Sequence, residues 1–484
     1  MPENAKQIVV FGAQYTMKYI DEIYRKNFFN KPKEQVIGEA KKYLSSYLGC
    51  DYDVTHFEKL HDLGYLPIRV KTLKEGTVVG EKIPILTIYN THPEFFWLPN
   101  FLETLISSLI WKPVHSASLA FGYKKILTDW AKKTDKNNLG FVNFQGHDFS
   151  FRGMQHPESA ISSGLGFLTS FYGTDTIPAL QASQYYYNSE NVGFSVPASE
   201  HAVCTSYGKE NELESFKRIL TQYPTGIVSL VSDSYDLWKV CTEFVTTLKD
   251  LILSRDGKLV IRPDSGDPVD IICGTIKENT DSYENNREDA LLHNQRHGKS
   301  DLEPEQKGVI ELLWDVFGGT VNDQGYKVLD PHIGVIYGDS ITLERANEIC
   351  RRLEAKGFAS TNIVLGVGSY SMGYATRDNQ GGAVKATYVE LTTNIGKSIG
   401  EVGTMDVPEV IGRVIFKDPI TDDGTKKSAR GLLYVGKNEN GEYYLQDNVS
   451  WEKEGTGELE TIFDGVLVKE TSLSEIREIL SQYL

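Results

Sequence analysis

Basic charge, cysteine and long apolar runs are all scarce in this chain, and each scarcity closes off a class of protein. Lysine and arginine together number 50 against 66 aspartates and glutamates, for a formal charge of −16 over 484 residues. Nucleic acid or an anionic membrane is gripped by a broad basic surface that displaces counterions, so neither is an expected partner. An anionic ligand must instead find a local basic pocket. The five cysteines (Cys50, Cys204, Cys241, Cys273, Cys350) are odd in number, scattered, and free of CxxC spacing. That pattern supplies neither a disulfide framework nor a zinc site and suits a reducing cytoplasm. No apolar run approaches the roughly 20 residues of a membrane span; the best stretch, Leu98 to Trp111, is interrupted by Asn100 and Glu103. The opening Met-Pro-Glu-Asn-Ala-Lys-Gln has no signal-peptide core.

What is present is a globular composition, 40% hydrophobic and 24% charged, on a chain too long for one ordinary core. Two joined domains, or one large barrel with an appendage, follow. Residues 1–140 mix helix and strand. Lys33 to Leu48 reads as an amphipathic helix stopped by Gly49, Leu66 to Thr72 and Ile83 to Tyr89 as strands, and Pro93 to Trp111 and Ser116 to Lys133 as two helices. From 141 to 385 the grammar changes. Short apolar strands stop at polar or glycine turns: Phe141 to Phe144, Gly226 to Val231, Lys258 to Ile261, Ile333 to Tyr337 and Ile363 to Leu365, with helical stretches between them. Such βα repetition builds a parallel sheet, and in a closed α/β barrel the carboxyl ends of the strands form the active-site rim. The strongly polar stretch 281–308 reads as a surface insertion. Residues 386–484 return to β character, with a hairpin at Asn440-Gly441 and a closing helix from Ser474 to Leu484.

Chemically useful residues collect at those strand ends. Gly338-Asp339-Ser340 follows a buried strand, and Asp339 or Ser340 is placed to cap a helix from Ile341 to Lys356 whose first amides can receive a phosphate. Gly366-Val-Gly368-Ser369, with Arg377 after it, is a second turn of the same kind. Each alone is as well read as an ordinary turn; together they resemble a monophosphate cradle. Arg262 and Asp264 can hold opposite parts of a sugar phosphate, guanidinium on phosphate and carboxylate on hydroxyls, or form an internal salt bridge. His201 can be a general base, a metal ligand or a nucleophile, with Asp233 orienting its ring, or a structural histidine satisfied by backbone. Phe149 can stack on a flat ligand or sit in the core, and Arg152 can neutralise phosphate. Asp175 offers a carboxylate that accepts from an amide nitrogen and repels a carboxylate ligand.

In this order the pieces resemble the nicotinamide phosphoribosyltransferase family. The resemblance runs in register from Phe11-Gly-Ala-Gln-Tyr-Thr-Met to the C-terminus through His147-Asp-Phe…Arg152-Gly, Gly173-Thr-Asp-Thr, Ser195-Val-Pro-Ala…Glu-His201, Ser232-Asp-Ser-Tyr-Asp236, Ile261-Arg-Pro-Asp-Ser-Gly266, Gly338-Asp339, Thr376-Arg-Asp378 and Phe416-Lys-Asp-Pro419. It implies an irregular α/β barrel joined to a β-rich domain built from both chain ends, in a homodimer with shared active sites. It further implies that nicotinamide and phosphoribosyl pyrophosphate give nicotinamide mononucleotide and pyrophosphate with Mg²⁺, in NAD biosynthesis. ATP would stimulate the reaction by phosphorylating His201, oriented by Asp233. On the same resemblance Phe149, Asp175 and Arg262 hold nicotinamide, Asp264 the ribose, and Gly338, Asp339, Gly368, Ser369 and Arg377 the 5′-phosphate. Arg152, His201, Arg262, Lys385, Lys417 and Lys426 meet pyrophosphate.

Two departures qualify the match. The family pattern has a strand and an Asp-Ser-Tyr-Lys-type segment ahead of the position matching Phe11, and this sequence has none; with it go the second aromatic face for nicotinamide, supplied by the partner subunit, and a sheet strand. Gly368-Ser-Tyr370 stands where some relatives have a run of glycines, a minor change because serine still offers an amide and a hydroxyl. The alternatives are a nicotinate or quinolinate phosphoribosyltransferase, which Asp175 argues against, and a truncated non-catalytic paralogue that binds nucleotide.

Overall fold

The computed structural model describes residues 7–275, 302–378, 381–398, 404–418, 420–421 and 428–484. By its internal contacts the chain divides into two compact units, one of Met1–His115, Tyr186–Asn188 and Thr376–Tyr483, the other of Ser116–Tyr185 and Ser189–Ala375 with the terminal Leu484.

The second unit is built on six parallel strands. From edge to edge they are Gly173–Thr174, Gly146–Asp148, Ile363–Val367, Ile333–Tyr337, Asp256–Arg262 and Thr225–Val231. The four longer strands carry nearly continuous apolar runs because parallel strands are covered on both faces; Leu230, Ile261, Val335, Tyr337 and Leu365 are almost wholly buried, together with Phe167, Phe171 and Phe216. The two edges are joined by an irregular stretch instead of a seventh strand. Phe194 bridges Gly173 and Ala198 bridges Ser229, both in the parallel sense, through bonds such as Thr174 N–H to Phe194 O at 3.0 Å and Ser199 N–H to Ser229 O at 2.9 Å. The sheet therefore closes into an irregular α/β barrel, and every strand's carboxyl end lies on one rim.

The first unit draws its sheets from both chain ends. The strand Glu460–Asp464 pairs antiparallel with Ile68–Thr72, which pairs with Leu86–Asn90. Arg69 binds Asp464 at 2.6 Å across that seam, and Lys71 binds Glu454 at 2.6 Å with both side chains buried. Gln14 ties three segments together: its amide nitrogen donates to Tyr186 O at 2.6 Å, and its oxygen accepts from Thr471 N–H at 2.7 Å. The strands Leu432–Lys437 and Tyr443–Val449 form the expected hairpin. Tyr388–Ser398 and Thr404–Val414 make a long antiparallel ribbon.

Several local readings need correction. The two helices expected on either side of Pro113 are one helix, Leu98–Thr134. An internal proline costs about 3 kcal/mol, but Lys112, Pro113, His115 and Ser116 are buried, and the ring packs against Gly12, where an added Cβ would lie 2.8 Å from it. Phe141 to Phe144 is not a strand; it ends the 3₁₀ stretch Lys136–Phe144, and the strand follows at Gly146–Asp148. The closing helix is Leu473–Ser481, opened by a capping box of Ser472 and Glu475. Of the polar stretch 281–308, residues 281–301 lie outside the described residues, while Pro304 to Gly308 begin the helix Pro304–Phe317.

Candidate active site

Because the six strands are parallel, the residues that follow them are brought to the same rim. Asp148 is succeeded by Phe149, Thr174 by Asp175, Val231 by Ser232-Asp233, Arg262 by Pro263-Asp264, Tyr337 by Gly338-Asp339, and Val367 by Gly368-Ser369. His201 opens the short helix His201–Thr205 just beyond the stretch that closes the barrel.

At one side of the rim stands a carboxylate cluster around His201. Asp233 Oδ2 accepts from the amides of Asp264 at 3.0 Å and Ser265 at 2.8 Å and from the Ser265 hydroxyl at 2.5 Å. Its Oδ1 lies 3.3 Å from His201 Nε2, and Asp264 Oδ1 lies 3.6 Å from the same nitrogen. Burial works against the charge on Asp233, but its three donors and His201 outweigh it and hold the carboxyl below the ordinary range. Burial and the Asp233 charge push Asp264 up. The imidazole is thus gripped at one nitrogen while its side chain stays 42% exposed, an arrangement that presents the ring to a ligand instead of sealing it in the core. Arg262, only 8% exposed, donates to Ser199 O at 3.1 Å and supplies the cluster with a buried positive charge.

At the other side the constellation is flat and aromatic. The ring of Phe149 rests on Gly366, where an added Cβ would come within 2.6 Å of it, and packs at 4.4 Å and 34° against His147. Asp175 Oδ1 accepts from His147 Nε2 at 2.8 Å and from Ser195 Oγ at 2.6 Å. Burial alone would raise the Asp175 carboxyl; these donors and the charge of Arg262 outweigh it and lower the group below the usual carboxylate range.

Between them the two glycine turns interlock. An added Cβ on Gly368 would lie 2.6 Å from Asp339 Oδ1, and one on Gly338 would lie 2.9 Å from Asp264 Cβ, so both glycines are required by close approach. Ser369 packs directly on Gly153, which carries the exposed Arg152 beside the same turn. The cap of the following helix is not as expected: Thr342 accepts from Arg345 N–H at 3.2 Å, and the helix is Leu343–Ala355. With the helix starting at Leu343, Ser340, in left-handed backbone at φ 59°, and Asp339 both lie ahead of its cap.

The second unit accordingly brings together Phe149, Arg152, Asp175, His201, Asp233, Arg262, Asp264, Gly338, Asp339, Gly368 and Ser369. Arg377, Lys385 and Lys417 belong to the first unit. Arg377 is ion-paired with Asp378 at 2.8 Å, while Lys385 and Lys417 are exposed. Lys426 lies outside the described residues. Four residues that the sequence did not single out are part of the geometry: His147 and Ser195 on Asp175, Ser265 on Asp233, and Ser199 on Arg262. His147, Ser195 and Ser265 had a signal, their places in the motifs that carry the resemblance, though no role was read for them; Ser199 had none.

Residues 144–407 match the model of the nicotinate phosphoribosyltransferase (NAPRTase) family. The chain is 46% identical over 489 aligned residues to a nicotinamide phosphoribosyltransferase of Acinetobacter baylyi, covering 99% of this chain and 89% of that protein. It is 33% identical to a nicotinamide phosphoribosyltransferase of Xanthomonas campestris pv. campestris over 97% of this chain and 90% of the other. It is 37% identical to a protein of the same description from Mycoplasma pneumoniae over 70% and 68%.

Proposed function

The chain belongs to the nicotinate phosphoribosyltransferase family, and from that premise we propose that it is a pentosyltransferase that joins nicotinamide to the ribose of phosphoribosyl pyrophosphate. The observation that carries the choice of base is Asp175. Its Oδ1 is filled by two donors and no described residue donates to Oδ2, which leaves an acceptor suited to an amide N–H and repulsive to the carboxylate of nicotinate.

In this reading Phe149 stacks on the pyridine ring, Asp264 accepts from the ribose hydroxyls, and the turns at Gly338-Asp339 and Gly368-Ser369, with Arg377, take the 5′-phosphate. Arg152 and Arg262 meet the pyrophosphate; the basic residues Lys385, Lys417 and Lys426 are assigned to it by the sequence resemblance alone. Since the pyridine nitrogen attacks as pyrophosphate departs, these residues work by positioning and by neutralising charge. ATP phosphorylates His201, whose ring Asp233 holds in place. His201, Asp233 and Asp264 each bring one donor atom within 4.8 Å of the others. Two hard carboxylates among them suit Mg²⁺, and Asp264 is the one whose oxygens are not already taken up by backbone donors. Held there with pyrophosphate, Mg²⁺ would supply positive charge against that of the leaving group. A homodimer is the reading for the exposed aromatic patch on the barrel unit, where Phe144, Tyr172 and Phe194 lie 5.3 to 6.3 Å apart and Phe194 is 50% exposed.

The test is mononucleotide formation from nicotinamide and phosphoribosyl pyrophosphate with Mg²⁺, with and without ATP, and with nicotinate in competition. ATP-stimulated turnover of nicotinamide is expected. Preferential turnover of nicotinate would overturn the choice of base.

A further inference from the structure

Among the groups on the barrel rim, His147 makes contacts that the proposed reaction does not use. It is 9% exposed, it sits in the middle of a three-residue strand, and it touches both residues assigned to the base. Its ring packs on Phe149 at 4.4 Å, and its Nε2 meets Asp175 Oδ1 at 2.8 Å. An ionised carboxylate only accepts, so Nε2 must carry the hydrogen. Ser195 meets the same oxygen at 2.6 Å from the stretch that closes the barrel. The two donors approach from opposite neighbours of the strand Gly173–Thr174, since the strand of His147 pairs with it on one side and the segment of Ser195 is bridged to it on the other.

We infer that His147 and Ser195 are positioning residues that set the base specificity. By occupying Oδ1 of Asp175 from two sides, they fix the carboxylate plane, keep it an acceptor, and aim Oδ2 at the amide of the base while His147 holds the stacking ring of Phe149 in register with it. Neither residue touches the reacting atoms; each acts through Asp175, and His147 also through Phe149. A carboxylate held by one donor can rotate about its Cβ–Cγ bond, whereas one held by two on a single oxygen cannot do so without losing both. The inference rests on the reading of Asp175 as the group that faces the amide.

Variants can separate the two contacts of His147. His147→Phe keeps a ring against Phe149 and removes the donor; His147→Gln keeps a donor near the position of Nε2 and removes the ring. The measurement is the ratio of kcat/KM for nicotinamide to that for nicotinate, with KM for phosphoribosyl pyrophosphate alongside. His147→Phe and Ser195→Ala should each lower the ratio about tenfold or more, His147→Gln should retain it within about threefold, and KM for phosphoribosyl pyrophosphate should move less than twofold. In the Asp175→Asn background His147→Phe should change the ratio no further, because the two act in one chain of contacts. An Asp175→Asn variant that keeps the full preference would refute the assignment of Asp175 itself. If Asp175→Asn abolishes the preference while folded His147→Phe and Ser195→Ala retain it, the assignment stands and the positioning role is wrong. Should His147→Phe fail to fold, Ser195→Ala, a small change at an exposed residue, decides the question alone.

Discussion

Replacing Gly366 by alanine offers a direct test of where the base stacks. Gly366 is a buried residue of the strand Ile363–Val367. A methyl group there would stand 2.6 Å from Phe149 Cδ2, 2.8 Å from Phe149 Cε2 and 2.6 Å from the carbonyl oxygen of Tyr337. Carbon atoms in comfortable contact lie about 3.5–4.0 Å apart, so something must retreat by roughly 1 Å. The Tyr337 carbonyl belongs to the neighbouring strand and cannot withdraw without disturbing the parallel ladder. The half-buried ring of Phe149 is the freer of the two and gives way. Overpacking of this kind costs about 1–3 kcal/mol in stability, which urea unfolding would read. A displaced ring should also forfeit its stacking contribution, about 0.5–1.5 kcal/mol, and thereby raise KM for nicotinamide by a factor of roughly 2–12 with a much smaller effect on phosphoribosyl pyrophosphate. A folded Gly366→Ala enzyme with unaltered KM for nicotinamide would refute Phe149 as the stacking face.

Other consequences are simpler to check. Gly38 lies within the helix Lys33–Leu48 with nothing within 4 Å of an added Cβ, so Gly38→Ala should stabilise by up to about 1 kcal/mol in urea unfolding. Glu454→Leu strands the buried Lys71 without its counter-ion and should cost about 3 kcal/mol, read as a lowered urea midpoint; an unchanged midpoint would mean that the pair contributes nothing. Glu348 is held at a pKa of about 2, chiefly by hydrogen bonds from Arg351 and also from Arg352. Its folded pKa lies below the unfolded value, so its stabilisation is complete above about pH 4.5 and is lost as pH falls towards 2. Discounted for partial exposure it amounts to about 1 kcal/mol, and the advantage over Glu348→Gln should shrink through that window. His201→Ala should retain binding of nicotinamide by calorimetry yet show no stimulation by ATP; intact stimulation would remove His201 from the phosphate chemistry.

The strand ends at Asp233, Arg262 and Gly338 were legible because a parallel strand covered on both faces leaves an unbroken apolar run that stops at a polar turn. The Gly146–Asp148 strand escaped notice for the opposite reason. Gly-His-Asp has no strand propensity of its own, and its conformation is imposed by pairing with Ile363–Val367 and Gly173–Thr174. Phe141 to Phe144 looks more like a strand and is not one. The helices expected over Pro93 to Trp111 and Ser116 to Lys133 are continuous through Pro113, because burial around the ring outweighs what local geometry alone would oppose. Ser195 and Ser265 act through hydroxyls on the carboxylates of Asp175 and Asp233, and Ser199 through its backbone carbonyl on Arg262; contacts of that kind have no periodicity or spacing to betray them. The barrel itself was implied by the resemblance; its closure could not be read from the apolar pattern, being made by bridges at Phe194 and Ala198 that no such pattern announces.

That closure bears on how the protein can change. A ladder strand fixes which of its side chains face inward, and a one-residue slip inverts the whole set. The stretch from Phe194 to Ser199 meets the backbone of the neighbouring strands near its two ends, at Phe194 and at Pro197 to Ser199, so a substitution between those ends shifts no neighbour's register and inverts nothing. Its residues, Ser195 among them, are therefore open to replacement while the six ladder strands stay in place. Selection for a different base, in nature or in the laboratory, has in this stretch a part of the rim that lies outside the ladder on which to act.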